Sequence, residues 1–430
     1  MNAKPLRHAL PASPAAAGFG LIELMIGVLI GSLLLLGLTQ VFSTSRNAYQ
    51  TSEGLARVQE NSRFAMDFLQ RDLRMAGHQG CASDVSHFPP NNGTVEFFSH
   101  FLTPAQRGAN NWAAAPWGLR FNTALEGFEH ANSAPGSTLD ISGNANPVPF
   151  GLSGNWSPAL PAELTSLNSS PNPGVVVGSD VVVIRTFDSN SIPVTNINTD
   201  VTPAVVTVPL QYVSRVLAGN LYGLADCTKA SVFQATTSAS PVSGTFTVDV
   251  TGLNKSGFNG AGFMPDSYKA QQLQLYPLRS VAYYIGRGTN GGPALMRLNF
   301  SGGCTTTCVP EELVDGIENL QFMYGYDNQG TFPDGGIDQY WTAQQVNNLG
   351  AAQQGSTDAA WRRIGAVRFA FISRSNDAAA VDRSVAVTVG NTKVLGVNVK
   401  TPNLAAGSQD NRLRLPYTST VAIRNQLYGQ

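Results

Sequence analysis

The chain has 430 residues, of which 13% are charged, and its formal net charge at pH 7 is −1. This length suffices for one or two domains with a sizeable core. The near-neutral charge argues against a general nucleic-acid or anionic-membrane binder, which would carry a basic excess. The 43 glycines and 25 prolines favour a loop-rich β protein outside the cytoplasm over a helical enzyme.

Residues 1–18 form a short basic leader. They contain one lysine, one arginine, one histidine and no acid, and they end in the small-residue run AAAG before an apolar stretch. A secretory signal carries its small-residue cleavage site after the apolar stretch, not before it. Cleavage at Gly18 would therefore keep the apolar segment. The positive leader predicts an N-terminus on the cytoplasmic side, with the remaining chain outside the cytoplasm.

The apolar stretch has a single carboxylate at its head. No side chain from Leu24 to Ser45 is charged, and about 22 residues are enough to cross a hydrocarbon core of roughly 30 Å as a helix. Glu23 stands directly before this stretch, where a carboxylate is costly unless it has a partner or reaches the interface. The sequence therefore predicts one transmembrane helix and a carboxylate that needs a partner.

The run GFGLIELMI at 18–26 resembles the processing motif of type IV prepilins and type II secretion pseudopilins. The resemblance implies cleavage after Gly18, N-methylation of the new terminal residue Phe19, and Glu23 as the fifth mature residue. Removing the leader creates a positive amino group near the membrane boundary. Glu23 can neutralise that charge on its own chain or on a neighbour, because a paired charge in a low dielectric costs much less than a lone one.

Beyond the apolar stretch the chain keeps a helical pattern. Apolar residues recur at helical spacing, at Val58, Ala65, Leu69, Leu73 and Ala76. Gly77 suits the position after a helix, where the left-handed backbone is common, and Gly54 would allow a bend within it. We expect one helix over 19–76, with its first half in the membrane and its second half packed on a globular head over 77–430.

Helical periodicity fades after Cys81, and runs of β-branched and aromatic residues follow. These runs predict strands at 179–187, 205–213, 245–250, 280–285, 294–300, 313–326, 364–373 and 418–424. The polar, proline-rich stretch 131–178 predicts a loop insertion on the sheet and not an interdomain linker. The predicted fold class is α+β: a long N-terminal helix packed on a large antiparallel β-sheet head of the pilin type, with loop insertions.

Five runs resemble the PilW family of minor pilins in order and spacing. They are NSRFAMDFLQRDLRMAGHQGC, GSDVVVIR, ELVDGIENLQFMYGYD, RIGAVRFAFISRS and YTSTVAIRN. The resemblance implies a minor pilin that primes type IV pilus assembly with other minor pilins and the major pilin, and that sits at the pilus tip, where an adhesin is a further partner. It implies a prepilin peptidase and methylase, an inner-membrane anchor with a periplasmic head, and later a place in the extracellular pilus that supports twitching motility and adhesion. A J-type pseudopilin of type II secretion is the alternative.

The chain contains four cysteines: Cys81, Cys227, Cys304 and Cys308. In an oxidising compartment they could form two disulfides, and the sequence does not choose among the three possible pairings. The CTTTC run at 304–308 could ligate zinc only with further ligands, and no second CxxC or neighbouring histidine pair completes a tetrahedral set. We therefore predict disulfides and no metal at the cysteines.

The aspartate-rich stretch 327–338 is the remaining candidate for a ligand site. Its carboxylates are Asp327, Asp334 and Asp338, and their spacing is not that of an EF-hand, so a β-hairpin turn is preferred and calcium is the weaker interpretation. Four arginines suggest a solvated strand face in preference to a DNA contact: Arg362, Arg363, Arg368 and Arg374. With no nucleophile, acid–base cluster or phosphate loop, the sequence predicts no enzyme, cofactor, small-molecule substrate or nucleic-acid partner. A tip adhesin with its own ligand site in the loops at 81–178 is a further alternative.

Overall fold

The computed structural model describes residues 20–81, 97–109, 111–141, 156–168, 174–227, 229–258, 268, 272–302, 308–328, 336–353, 357–379, 391–400 and 412–426. The α-helices in these ranges are α1 Leu21–Met75, α2 Pro104–Gly108, α3 Ala162–Thr165, α4 Ala343–Gln353 and α5 Thr357–Trp361. Short 3₁₀ helices span Trp112–Ala114, Trp117–Leu119, Ser166–Asn168, Leu210–Arg215 and Arg424–Gln426.

The strands of the first half of the head are β1 Phe97–Ser99, β2 Leu125–His130, β3 Thr138–Asp140, β4 Trp156–Ser157, β5 Val181–Phe187, β6 Ile192–Pro193, β7 Asn196–Asn198, β8 Ala204–Thr207, β9 Leu221–Ala225 and β10 Ala230–Gln234. Those of the second half are β11 Thr245–Val248, β12 Gln274–Arg287, β13 Pro293–Asn299, β14 Pro310–Asp315, β15 Ile317–Tyr326, β16 Gln339–Trp341, β17 Ile364–Arg374, β18 Asn391–Val394, β19 Val397–Lys400 and β20 Arg414–Ala422. The α+β class is confirmed.

α1 is one continuous helix of 55 residues. It ends where the sequence predicts, because the Ala76 N–H donates to the Leu73 carbonyl and Gly77 has a φ of +75°, which favours glycine. All residues from Gly20 to Gln50 are exposed, whereas Val58, Ala65, Leu69 and Leu73 are buried. The helix thus has a bare first half and an amphipathic second half.

The largest sheet is organised around β12. This 14-residue strand pairs with β9 and β6 near its start and with β5 and β13 further along. The sheet runs in the order β1-β10-β9-β12-β5-β2-β4, and β14 pairs with β13 on a branch. Every residue of β5 is buried, as its nearly continuous apolar run predicts.

A second, fully antiparallel sheet has the order β16-β15-β17-β20. The buried face of α1 packs between this sheet and the β5–β12 part of the large sheet. Residues of the shared core include Ala65, Leu69, Leu73, Ile184, Tyr283, Phe322, Phe369 and Val421. The helix is therefore an integral part of the main core of the head.

Two small sheets are also present in the described part of the head. The sheet β11-β8-β7 has its own apolar cluster, which includes Val206, Phe233 and Phe246. The sheet β18-β19-β3 covers Ala370 and Ile372 on the outer face of β17. The predicted insertion at 131–178 supplies β3 and β4, while 142–155 and 169–173 lie outside the described residues.

Several strand predictions needed correction. The run 313–326 is two strands, since Gly316 has a φ of +78° and a Cβ there would lie 2.7 Å from the Arg374 carbonyl oxygen. The predicted strand 205–213 stops at Thr207, and a 3₁₀ helix begins at Leu210. The predicted strand 280–285 is the middle of β12, and the last strand begins at Arg414, before the predicted 418.

Candidate assembly helix and its anchorage in the head

The first half of α1 exposes apolar side chains around its whole circumference. Leu21, Leu38 and Phe42 are 78%, 72% and 69% exposed. By length and composition α1 could cross a membrane. Soluble proteins rarely expose apolar patches beyond a few hundred Å². This surface therefore needs lipid or other apolar helices around it.

Glu23 is the charged side chain at the start of this exposed half. Its Oε2 accepts the N–H of Gly20 at 3.1 Å, in the first turn of α1. A carboxylate is stabilised there by the unpaired N–H groups and by the positive end of the helix dipole. Glu23 remains exposed, so its second oxygen is open to another partner. Gly18 and Phe19, predicted to be processed and methylated, lie outside the described residues.

A buried carboxylate near the end of α1 fastens the helix to β12. Asp72 Oδ2 accepts the Tyr283 hydroxyl at 2.5 Å and the Arg279 Nη2 at 2.8 Å, and its side chain is 5% exposed. Residues 279 and 283 lie on one face of β12, because side chains alternate along a strand. Burial, and then the Asp72 carboxylate, raise the pKa of Tyr283. The tyrosine therefore stays a proton donor to Asp72.

Three side chains of α1 make further hydrogen bonds to the head. Thr51 Oγ1 donates to the Ala379 carbonyl at 2.8 Å, and Asn61 Nδ2 donates to the Asp315 carbonyl at 3.0 Å. Gln70 Nε2 donates to Ser419 Oγ at 2.8 Å. These bonds attach three separate turns of α1 to the 375–379 segment, β14 and β20. The anchorage therefore runs along the whole second half of the helix.

Gly54 serves close packing. α1 runs through Gly54 without interruption, and the residue is buried against the 375–379 segment. A Cβ at position 54 would lie 2.4 Å from the Cβ of Ala379. Glycine is needed because this backbone approach leaves no room for a methyl group.

We expect Gly54→Ala to destabilise the head by about 1 kcal/mol, although alanine is the better helix former by a similar amount. The new methyl group displaces Ala379 and weakens its hydrogen bond to Thr51. Chemical unfolding of the detergent-solubilised chain measures the change. The double variant Gly54→Ala/Ala379→Gly removes the opposing methyl group and should restore stability. A Gly54→Ala chain at least as stable as the wild type would contradict the steric explanation.

We expect Asp72→Ala to lower the free energy of unfolding by about 2–3 kcal/mol, because it leaves Arg279 and the Tyr283 hydroxyl without their acceptor. Asp72→Asn keeps an oxygen for Tyr283 and loses the charge opposite Arg279, so its loss should be near 1 kcal/mol. Hydrogen exchange at 58–75 in both variants reports whether the helix loosens from β12. Equal stability of the wild type and Asp72→Ala would rule out this anchorage.

Each cysteine that the structure describes takes part in a disulfide. Cys81 pairs with Cys227, and their Cα atoms are 4.5 Å apart. This bond ties the segment after α1 to the connection between β9 and β10. Cys308 is disulfide-bonded too, and Cys304 lies outside the described residues.

The aspartates of the weaker ligand-site candidate differ in their exposure. Asp327 is buried and Asp338 is exposed, with the Asn328 N–H donating to Asp338 Oδ2 at 2.8 Å; Asp334 lies outside the described residues. Among the residues with described positions, no group of three His, Cys, Asp or Glu side chains could hold a metal ion. The calcium interpretation therefore rests on the sequence pattern alone.

The four arginines weighed for DNA contact do not share one solvent-exposed face. The prediction of a solvated strand face is therefore wrong. Arg363 and Arg374 are buried. Arg368 stacks over the Tyr340 ring at 4.1 Å, and Arg362 Nε donates to the Asn122 carbonyl at 3.0 Å. Each of the latter two is held by a local contact.

A helix with a bare apolar half that could cross a membrane, and a second half embedded in a mainly antiparallel β-sheet head, fits a membrane-anchored protein of the pilin type. Over residues 282–425 the chain is similar to the family of Type IV Pilus-assembly protein W, PilW, which confirms the resemblance seen in the sequence. The matched region starts within β12 and extends past β20. The family is one of pilus-assembly proteins and not of enzymes, and it supports a pilus-related minor pilin.

Among solved structures, the Type IV-like pilin TTHA1219 from Thermus thermophilus matches at 13% sequence identity with a TM-score of 0.18. The match covers 49% of this chain and 87% of that chain. No curated protein matches the chain.

Glu23 could be identified from the sequence as a functional residue. The contacts of Asp72 and the packing role of Gly54 could not. A signal for Asp72 was nevertheless present. It stands next to Leu73 within the apolar stripe of the amphipathic half, where a carboxylate requires a partner for the same reason as Glu23 does. The partners, Arg279 and Tyr283, follow more than 200 positions later in the chain and have no local signature.

Proposed function

We propose that this protein is a minor pilin that joins other minor pilins to prime type IV pilus assembly and enters the pilus at its tip. The observation that carries the proposal is the division of α1. Its exposed apolar half fits a bundle of similar helices, and its buried half shares the main core of the head. The similarity to pilus-assembly proteins over 282–425 supports the same conclusion.

The proposed mechanism is structural. A membrane peptidase removes residues 1–18, and Phe19 becomes the methylated N-terminus. Before assembly, lipid surrounds the apolar half of α1, and in the pilus other pilin helices replace the lipid. Glu23, held at the helix start by the Gly20 N–H, uses its exposed oxygen to neutralise the N-terminal amine of a neighbour. The head then presents its loops to partner pilins and to a tip adhesin, and motility and adhesion follow from the pilus.

Intact-mass and N-terminal analysis of the membrane-extracted chain tests the processing step. With the prepilin peptidase present, we expect a mature chain that begins at N-methylated Phe19, and without the peptidase the full precursor. An uncut chain in the presence of the peptidase, or a cut after the apolar stretch, would overturn the proposal. Co-purification with pilus components or with secretion components separates the minor pilin from a pseudopilin.

The Glu23→Gln variant separates processing from assembly. The amide keeps an oxygen for the Gly20 N–H but cannot neutralise a neighbour's amine. We expect normal cleavage and a roughly tenfold loss of incorporation into pili, equivalent to about 1.4 kcal/mol. Quantitative blotting of sheared pili against the membrane pool measures the loss. Incorporation equal to that of the wild type would remove Glu23 from the mechanism.

A further inference from the structure

The nine-residue strand β20 forms an open edge of the four-stranded sheet. It pairs with β17 on one side, in an unbroken register from Arg374↔Arg414 to Ala366↔Ala422. No strand among the described residues pairs with its other side. Thr418, Thr420 and Ala422 are exposed.

The register shows which backbone groups this edge offers. The Ile423 N–H donates to the Gly365 carbonyl, and the Ser375 N–H donates to the Leu413 carbonyl, each at 2.8 Å. Odd-numbered residues of β20 therefore direct their N–H and C=O groups toward β17. These directions alternate along an antiparallel strand. The backbone N–H and C=O groups of Thr418, Thr420 and Ala422 therefore point away from β17.

The other open edges of the two larger sheets are short or protected in the part of the chain described here. β1 and β16 have three residues each and β4 has two. β14 carries three acidic side chains, and a register shift interrupts its pairing with β13. Such devices prevent pairing with foreign strands. In β20 the charge (Arg414) and the proline (Pro416) both stand near the start of the strand, and 418–422 contains neither.

The position of this edge relates it to the assembly helix. Ser419 receives the hydrogen bond from Gln70 of α1, so β20 runs beside the second half of the helix. A subunit whose helix packs along α1 on the β20 side would bring its own head next to this edge. The open edge thus lies beside the half of α1 that carries the head.

We propose that the outer edge of β20 accepts an extended segment of a neighbouring pilin subunit as a fifth strand of the sheet. The inference rests on the proposed function and adds to it a defined contact. Outward N–H and C=O groups at 418, 420 and 422 supply the backbone hydrogen bonds. The small, uncharged side chains of Thr418, Thr420 and Ala422 suit a partner segment that is rich in uncharged β-branched residues.

Thr420→Pro tests the contact, because proline removes an N–H that pairs with no strand among the described residues. Thr420→Ala is the matched control, which loses the same hydroxyl and keeps the N–H. The full-length chain is co-expressed with the other minor pilins of its own pilus system and extracted in detergent. We expect Thr420→Pro to recover about tenfold less partner subunit, Thr420→Ala to stay within twofold of the wild type, and both variants to unfold at the wild-type temperature.

Hydrogen exchange in the same extracts gives an independent measurement. In the complex, the amides of 418, 420 and 422 should exchange at least tenfold more slowly than in the isolated chain. A complex that leaves these amides unprotected, Thr420→Pro binding like the wild type, or pairing of β20 with a second copy of this chain would overturn the inference alone. If the wild-type chain forms no complex, the proposed function fails together with it.

Discussion

Replacing Glu318 with alanine is expected to lower the free energy of unfolding of the head by about 3–5 kcal/mol. The Glu318 side chain is fully buried between two arginines. Arg414 donates from Nε to Oε2 at 2.7 Å and from Nη2 to Oε1 at 3.1 Å, and Arg374 Nη1 lies 3.4 Å from Oε1. The substitution leaves two buried guanidinium groups without this carboxylate, and desolvated charges of one sign are costly.

Equilibrium unfolding in denaturant measures this loss. Glu311→Ala is the control, because Glu311 also pairs with an arginine, Arg297, but its side chain is 57% exposed. An exposed ion pair contributes about 0–1 kcal/mol, so the two variants should differ by several kcal/mol. Similar, small losses in both variants would show that burial of the Glu318 cluster does not determine its contribution.

Removing the Cys81–Cys227 disulfide should have the second large effect. The two cysteines are separated by 146 positions, and a cross-link that closes so long a loop restricts the unfolded chain strongly. The chain-entropy estimate is about 5 kcal/mol for a loop of this size, and measured losses for native disulfides are about 2–5 kcal/mol. We expect a loss in that range for the double variant Cys81→Ala/Cys227→Ala.

Thermal unfolding of the oxidised wild type and the double variant provides the test, with thiol labelling to confirm the oxidation state. Reduction of the wild type is the internal control. It should lower stability at least as far as the double variant, because it opens the same bond. A double variant as stable as the oxidised wild type would mean that the β9–β10 connection is held by its other contacts.

Much of the fold was predictable because it depends on local patterns. The end of α1 follows from the last apolar position and Gly77, and β5 follows from an unbroken apolar run. The break at Gly316 was not predictable, since β14 and β15 both look like strands locally and differ only in the sheet they join. The 3₁₀ helix at Leu210–Arg215 replaced a predicted strand for a similar reason, because local propensity is a weak prior that tertiary context overrides.

The residues of the candidate site, too, were only partly predictable from local sequence patterns. Glu23 could be identified because a charge inside an apolar stretch is conspicuous along the chain. Asp72 and Gly54 act through residues 279, 283 and 379, so their roles appear only when the folded chain brings distant segments together. The open edge of β20 has the same origin, because a strand becomes an edge only through the arrangement of the whole sheet.

The row of contacts along α1 also has a mechanical consequence. The helix is about 80 Å long, from 55 residues at 1.5 Å each, and it joins the exposed apolar half to the head as one continuous helix. Tension along its axis acts on the contacts of Thr51, Asn61, Gln70 and Asp72 at the same time, in shear. A force perpendicular to the axis would load these contacts one at a time and break them in sequence. The geometry therefore resists pulling along the helix axis much more strongly than peeling from the side.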